Sequence, residues 1–233
     1  TSISGVRRLN VGHTSTMRPA AAADASLSIR RAASMFRLAP LLLCLLGTGA
    51  FAGDDGNRPF PNVLRAGSYS FSDELGGFRL RSASGTGTHD DPFVVVQELE
   101  SATPVTMVIR ATKPIRPFSD PREFATGFLA MRLEVVNNSA LPWIEFGFEL
   151  QERLGIASLF GDGLSFDQRI TNSTSIASDH FRKFSRNFEP YDRLLFREGN
   201  VNHLETVDFD FLITDFTPRW EFFLVLDPRI PAS

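Results

Sequence analysis

The chain has 233 residues, 42% of them hydrophobic and 22% charged, with a formal net charge of −3 and a single cysteine. That composition excludes an intrinsically disordered polymer, a collagen-like repeat and a disulfide-stapled miniprotein. The charge is unevenly placed: six of the 24 Lys and Arg but only one of the 27 Asp and Glu lie in residues 1–52, so the remaining chain has 18 basic and 26 acidic residues and a net charge of −8. A chain this acidic is a poor partner for nucleic acid or for electrostatic docking on anionic lipid.

Residues 36–52 read FRLAPLLLCLLGTGAFA. A basic residue, an apolar run too short to span a bilayer and a terminal Ala50-Phe51-Ala52 describe a secretory signal peptide starting at Met35 and cleaved after Ala52. Residues 1–34 are rich in Arg, Ala and Ser and read as an upstream extension, unstructured or helical, with Met35 or Met17 as the true start. A transit peptide has a similar composition, and Arg30-Arg31 suggests a twin-arginine signal, but Ala-Ala-Ser-Met follows the pair. Cys44 lies inside the signal, so the exported part has no disulfide, no thiol nucleophile and no thiolate metal ligand, which favours a bacterial exported protein, secreted or periplasmic. Residues 53–233 are expected to form one domain.

Within it, 53–66 is a proline-broken lead-in, and Ser68–Phe71 and Phe78–Ala83 are short strand candidates around Gly76-Gly77. Ser84–Pro92 (SGTGTHDDP) is a loop; its Gly-x-Gly has no third glycine and no following helix, which argues against a nucleotide site. Phe93–Leu99 and Pro104–Ala111 are strand-like runs expected to form a hairpin, and 112–126 is a loop with Pro114, Pro117 and Pro121. Leu129–Gln151 carries the clearest pattern. Leu129, Met131, Leu133 and Val135 alternate with Arg132 and Glu134. Beyond the turn 137–142, Ile144, Phe146, Phe148 and Leu150 alternate with Glu145 and Glu149. This predicts a β-hairpin with one face on the core and an outward row of Arg132, Glu134, Trp143, Glu145 and Glu149. Arg153–Phe160 reads as a helical turn, and Leu164–Ile170 as a short strand. Thr171–Pro190 reads as irregular, with Phe181, Phe184 and Phe188 at the spacing of a short helix. Tyr191–Arg197 and Glu205–Asp215 are strands, and Arg219–Asp227, apolar on both faces, a central one. The expectation is an all-β fold: an antiparallel sandwich, Ig-like or jelly-roll-like, of about nine to ten strands filled by Phe rings.

Asn137-Asn138-Ser139 with Trp143, the run Phe146–Leu150, Asp162-Gly163-Leu164-Ser165-Phe166, Asp192-Arg193-Leu194, Gly199-Asn200-Val201 and the late Asp-Pro-Arg at 227–229 form a pattern over residues 128–228. It resembles exported bacterial β-sandwich proteins, some with exosortase-type sorting tails. Most have no assigned activity, so the resemblance implies export and fold and carries over no catalytic residue.

Chemistry is sparsely signalled. His89, His180 and His203 are dispersed, which does not suggest zinc. Calcium is the possible cofactor, through turn carboxylates Asp90, Asp91, Asp162 and Asp167, although no full ligand loop is present. Asp208 and Asp210 share one strand face and could form an acid pair for glycoside hydrolysis, or simply the solvent face opposite Val207, Phe209 and Phe211. There is no Gly-x-Ser-x-Gly. Asn137-Asn138-Ser139 and Asn172-Ser173-Thr174 are sequons, relevant only in a eukaryotic host. Trp143 and Glu145, with Asp208 and Asp210, are the ligand-contact candidates, and Tyr191 and Trp220 are further aromatics for sugar stacking. The functional expectation is a non-enzymatic binding, adhesion or extracellular-matrix module. Its partner would be an extracellular or periplasmic protein or polysaccharide, without stable membrane insertion. The alternative is a carbohydrate-binding domain or carbohydrate-active enzyme.

Overall fold

In the computed structural model the described residues are 60–167, 175–186 and 188–231. They belong to the second of the chain's two units, Gly53–Ser233. The expected extension, signal peptide and second sequon lie outside them.

Alternation dictates most of the strands, and the described residues are all-β. The strands are β1 (Val63–Ala66), β2 (Tyr69–Ser72), β3 (Phe78–Ser84), β4 (Phe93–Leu99), β5 (Val105–Ala111), β6 (Phe128–Asn137) and β7 (Glu145–Gln151). They continue with β8 (Leu164–Phe166), β9 (Ala177–Ser178), β10 (Phe181–Ser185), β11 (Arg193–Gly199), β12 (Thr206–Asp215) and β13 (Glu221–Arg229). One sheet has seven strands in the order β1-β2-β5-β13-β7-β11-β10; the other has six, β3-β4-β6-β12-β8 with β9 also on β12. Among the described residues there are thirteen strands rather than nine or ten: β1 falls in the stretch read as a lead-in, and β9 and β10 fall in the stretch read as irregular.

Both expected hairpins are corrected. β6 lies in the six-stranded sheet and β7 in the seven-stranded one, and β4 and β5 are divided in the same way. The two strands of each pair therefore belong to different sheets and do not share a ladder. The sandwich is also not wholly antiparallel: β4 and β6 run parallel, with Val95 opposite Leu133. Arg153–Phe160 holds no helical turn but an isolated bridge, Arg153 to Ile156. Phe181 and Phe184 are not on a helix. They lie on β10, which pairs with β11, and Phe181 stacks on Phe209 at 5.9 Å. β13 is central, flanked by β5 and β7.

The core is built from the inward halves of these patterns. Leu129, Met131, Leu133 and Val135 of β6 and Val207, Phe209, Phe211 and Ile213 of β12 are buried against Phe146, Phe148 and Leu150 of β7 and Phe196 of β11. Ring contacts cross between the sheets: Phe146 to Phe209 at 4.7 Å, Phe196 to Phe209 at 4.9 Å and Phe148 to Phe211 at 5.0 Å.

Trp143, expected on the solvent face, is fully buried. Alternation breaks before β7, where the chain crosses between sheets. Trp143 pairs with Val201, whereas the next residue, Ile144, donates its N–H to the carbonyl of Arg229 at 2.8 Å and stands exposed. The indole packs edge-on against Phe146 at 5.4 Å and donates Nε1–H to Ser139 Oγ at 3.1 Å. Asn137 holds the crossing: its amide donates to the carbonyls of Leu141 (3.0 Å) and Val201 (2.9 Å), and its Oδ1 accepts from the Ser139 N–H at 3.0 Å. The Asn-Asn-Ser turn is therefore a plug at one end of the core.

One inward position opposes the pattern. Gln97 of β4 is fully buried beside Val95 and Leu99, and neither end of its amide has a hydrogen-bond partner. A buried amide left unpaired costs about 1–3 kcal/mol. Gln97→Met is expected to raise the free energy of unfolding by about 1 kcal/mol or more, whereas Trp143→Ala, which opens a cavity, lowers it by about 3–5 kcal/mol. Equilibrium unfolding of the two variants checks both signs.

Candidate functional site

The outward halves of β6 and β12 form the floor of the larger hollow. Cross-strand register sets Arg132 opposite Asp210 and Ala130 opposite Leu212, with Phe128 opposite Thr214. Alternation thus places one ion pair next to an apolar strip. Arg132 donates Nε–H to Asp210 Oδ1 at 2.8 Å and Nη2–H to Oδ2 at 3.1 Å, a bidentate fork. That hydrogen bonding, with the charge of Asp210, raises the Arg132 pKa further.

Two loops wall this floor. The first is the glycine loop before β4. The N–H groups of Thr86, Gly87 and Thr88 all donate to the carbonyl of Asp91 (3.1, 2.9 and 3.2 Å), and Gly87 accepts from the Ala130 N–H at 2.9 Å, which docks the loop on β6. At Gly87, φ is +79° and an added Cβ would sit 2.2 Å from the Phe93 ring, so only glycine fits. The Gly-x-Gly is thus explained by packing. The second wall is the proline-rich loop after β5. It is tied down by Ser68 Oγ–H donating to the Pro121 carbonyl at 2.5 Å, and it carries Phe118 at φ +60°. Phe118 is largely exposed and leans on Phe128 at 5.4 Å and Phe216 at 6.4 Å. Together with Ser175 and Ala177 these elements enclose a cavity of about 660 Å³ whose lining includes Thr88, Pro92, Met131 and Phe211. That volume falls within the range of small-molecule sites, roughly 300–1,000 Å³.

A smaller hollow of about 300 Å³ lies on the outer face of the other sheet. It opens over Gly147, between Leu195 and Val225. Arg193 bound to Glu149 (2.6 Å) and Arg229 bound to Asp227 (2.9 Å) rim it.

The predicted ligand contacts divide between these places. Asp210 lines the large cavity, and Asp208 stands two residues along the same outward row. Glu145 is on the opposite sheet, 3.5 Å from Arg229, and Trp143 is in the core, so the four candidates do not form one site. Burial, then the nearby charges of Asp179 and Asp210, raise the Asp208 pKa, although Arg132 opposes the shift.

The calcium candidates do not converge either. Asp90 is fully exposed, 3.9 Å from His89 Nδ1. Asp91 uses its backbone carbonyl inside the loop. Asp162 spends both carboxylate oxygens on its own turn, accepting from Ser158 Oγ (2.5 Å), the Leu159 N–H (2.8 Å) and the Leu164 N–H (3.0 Å). Asp167 is buried and accepts from Ser175 Oγ at 3.1 Å. Among the described residues no group of three or more His, Cys, Asp or Glu is placed to hold a metal ion.

Sequence reasoning missed a set of buried acids at one end of the sandwich. Asp192 accepts from Ser165 Oγ at 2.6 Å, and its second oxygen has no partner. Burial, with the charge of Asp162 added, pushes its pKa up to about 6. Burial likewise raises Asp215 and Glu152, and it pushes the Tyr69 hydroxyl, which accepts from the Gly127 N–H, to about 12. No local signal marks these residues, because long-range packing buries them.

A carboxyl with a raised native pKa binds more protons folded than unfolded, so its contribution to stability falls as pH rises through the window between the two values. For Asp192 that window runs from about 4, the ordinary value, to about 6. Asp192→Asn is expected to be more stable relative to the parent at pH 7 than at pH 4.5, with a difference in Tm of about 4 °C or more. Thermal melts across that range test it.

Comparison with known proteins returns no match: no family model, no curated protein and no solved structure is similar to the chain.

Proposed function

We propose that this chain is an exported, non-enzymatic binding module that takes its ligand in the cavity on the outer face of the six-stranded sheet. The observation that carries this is the cavity itself: about 660 Å³, with mostly apolar walls and one ion pair on the floor. An apolar body can displace water from Phe118, Phe128, Ala130 and Leu212, while the remaining N–H groups of Arg132 and nearby hydroxyls orient a polar end. The ligand class is an amphipathic group with one apolar face, presented by an extracellular or periplasmic protein or by a polysaccharide. Export is supported by residues 36–52, and the sandwich is read as jelly-roll-like because successive strands from β4 to β8 change sheet each time.

The carbohydrate-active reading keeps one supporting observation. Asp208 is pushed toward its protonated form, while Asp210 on the same strand face is bound by Arg132, an unequal pair of carboxylates. Against it, both Asp210 oxygens are already engaged.

A panel of polysaccharides and small amphipathic compounds, screened by thermal shift and by sugar release, decides between them. A ligand that raises Tm should bind at least about tenfold more weakly to Ala130→Trp, which fills the floor, without any sugar being released. Equal affinity in that variant removes the cavity as the site. Sugar release that is lost in Asp208→Asn establishes the enzyme instead.

A further inference from the structure

We infer that the cavity on the six-stranded sheet selects the acetamido group of an N-acetylated sugar, held between the Arg132–Asp210 pair and the Ala130–Leu212 strip, with the sugar ring against Phe118. The inference rests on the binding reading above and names the chemistry of its ligand. The floor offers two unlike surfaces side by side. The Arg132–Asp210 fork engages Nε–H and one Nη2–H, and the other N–H groups of the guanidinium have no partner among the described residues. Each Asp210 oxygen accepts one bond in that fork and keeps a lone pair. The two side chains are 44% and 34% exposed, so a ligand reaches both. Spare donors and spare acceptors therefore stand together in one row of the sheet, and the adjoining row in register is the apolar pair Ala130 and Leu212.

This pattern discriminates between ligand chemistries. An anion drawn to Arg132 meets Asp210 and, in the row beyond, Glu134 opposite Asp208. A cation drawn to those acids meets the Arg132 guanidinium. The polar end that offends neither is neutral and carries a donor and an acceptor together. A vicinal diol does so but leaves the apolar strip wet. An acetamido group does so with a methyl fixed beside it: its carbonyl accepts from Arg132, its N–H donates to Asp210, and its methyl covers Ala130 and Leu212. The wall defines what carries that group. Phe118 is 73% exposed and its backbone lies at φ +60°, a region that bulky residues rarely adopt. Burial does not offset the strain, since the ring only leans on Phe128 and Phe216. The conformation does present a flat apolar surface to the hollow, with Ser119 beside it in the lining. The C–H face of a pyranose ring matches such a surface through dispersion, and its hydroxyls take the remaining polar contacts. A linear acetylated side chain of a protein has no such face.

The test is isothermal titration calorimetry of the full chain with four probes: the β-linked trimer of N-acetylglucosamine, the corresponding glucosamine trimer, cellotriose and Nε-acetyl-lysine amide. The N-acetylated trimer should bind at least about tenfold more tightly than each of the others, because it alone satisfies the floor and the wall together. Phe118→Gly, which suits the left-handed backbone there, should keep or raise the parent's melting temperature and still weaken the trimer at least about tenfold. Arg132→Met should bring the trimer down to the affinity of cellotriose. The inference is overturned by no binding of the N-acetylated trimer, by equal or tighter binding of any of the other three probes, or by affinity indifferent to Phe118→Gly and Arg132→Met. A different ligand that Ala130→Trp excludes, with no binding of the trimer, overturns the acetamido assignment and leaves the cavity as the site. A trimer bound equally well by Ala130→Trp overturns both.

Discussion

The contact of Phe209 and Phe211 with Phe146, Phe148 and Phe196 is the constraint on which the rest of the molecule depends. These rings belong to β12 on one side and β7 and β11 on the other, with centroids 4.7–5.1 Å apart. Aromatic pairs at such distances add to the burial of their area and hold two sheets at a fixed separation. Since β12 must present Phe209 and Phe211 inward, Asp208, Asp210 and Leu212 must face outward. Register with β6 then fixes Arg132 and Ala130 beside them. The floor of the cavity is therefore the reverse side of the core pattern.

How far the fold was legible follows from what period-2 alternation encodes. It identifies which side of a strand is buried, and for β6, β7 and β12 the assignment agrees with the structure. It carries no information about whether the next strand pairs in the same sheet or crosses the core, because both arrangements bury the same residues. The two expected hairpins failed for that reason. Trp143 was misplaced by the same gap: parity was carried through a crossing where Asn137 and Ser139, and not a ladder, direct the chain. β13 was recognisable as central because an apolar residue on each face needs cover on both sides.

The candidate site was legible only in part. Asp208 and Asp210 share a face as their spacing requires, but their surroundings come from Arg132, 78 residues before Asp210 in the chain, and from loops after β3 and β5. The acids Asp192, Asp215 and Glu152 look ordinary in sequence, and only the assembled end of the sandwich strips them of water. The turn acids offered as calcium ligands show the converse. Asp162 has the right chemistry for a cation, yet its oxygens are used by the N–H groups of its own turn, the commoner role of aspartate before glycine.

The corner between β12 and β13 connects the cavity with the β7–β8 loop. Phe216 packs on Phe118 and Phe128 of the cavity wall, its N–H donates to the Gly163 carbonyl at 3.0 Å, and the Thr217 hydroxyl donates to the Asp162 carbonyl at 2.9 Å. Trp220 follows in the same segment, with its carbonyl accepting from the Ala111 N–H at 2.9 Å at the end of β5. One segment thus supports the wall of the hollow, the base of that loop and the entry into the central strand. A change that loosens it must disturb all three. The cavity floor at Ala130 and the loop at Ile156 share no residue, so substitutions there act on one region at a time. The cavity floor and the loop end can therefore be altered one at a time even though one corner holds both in place.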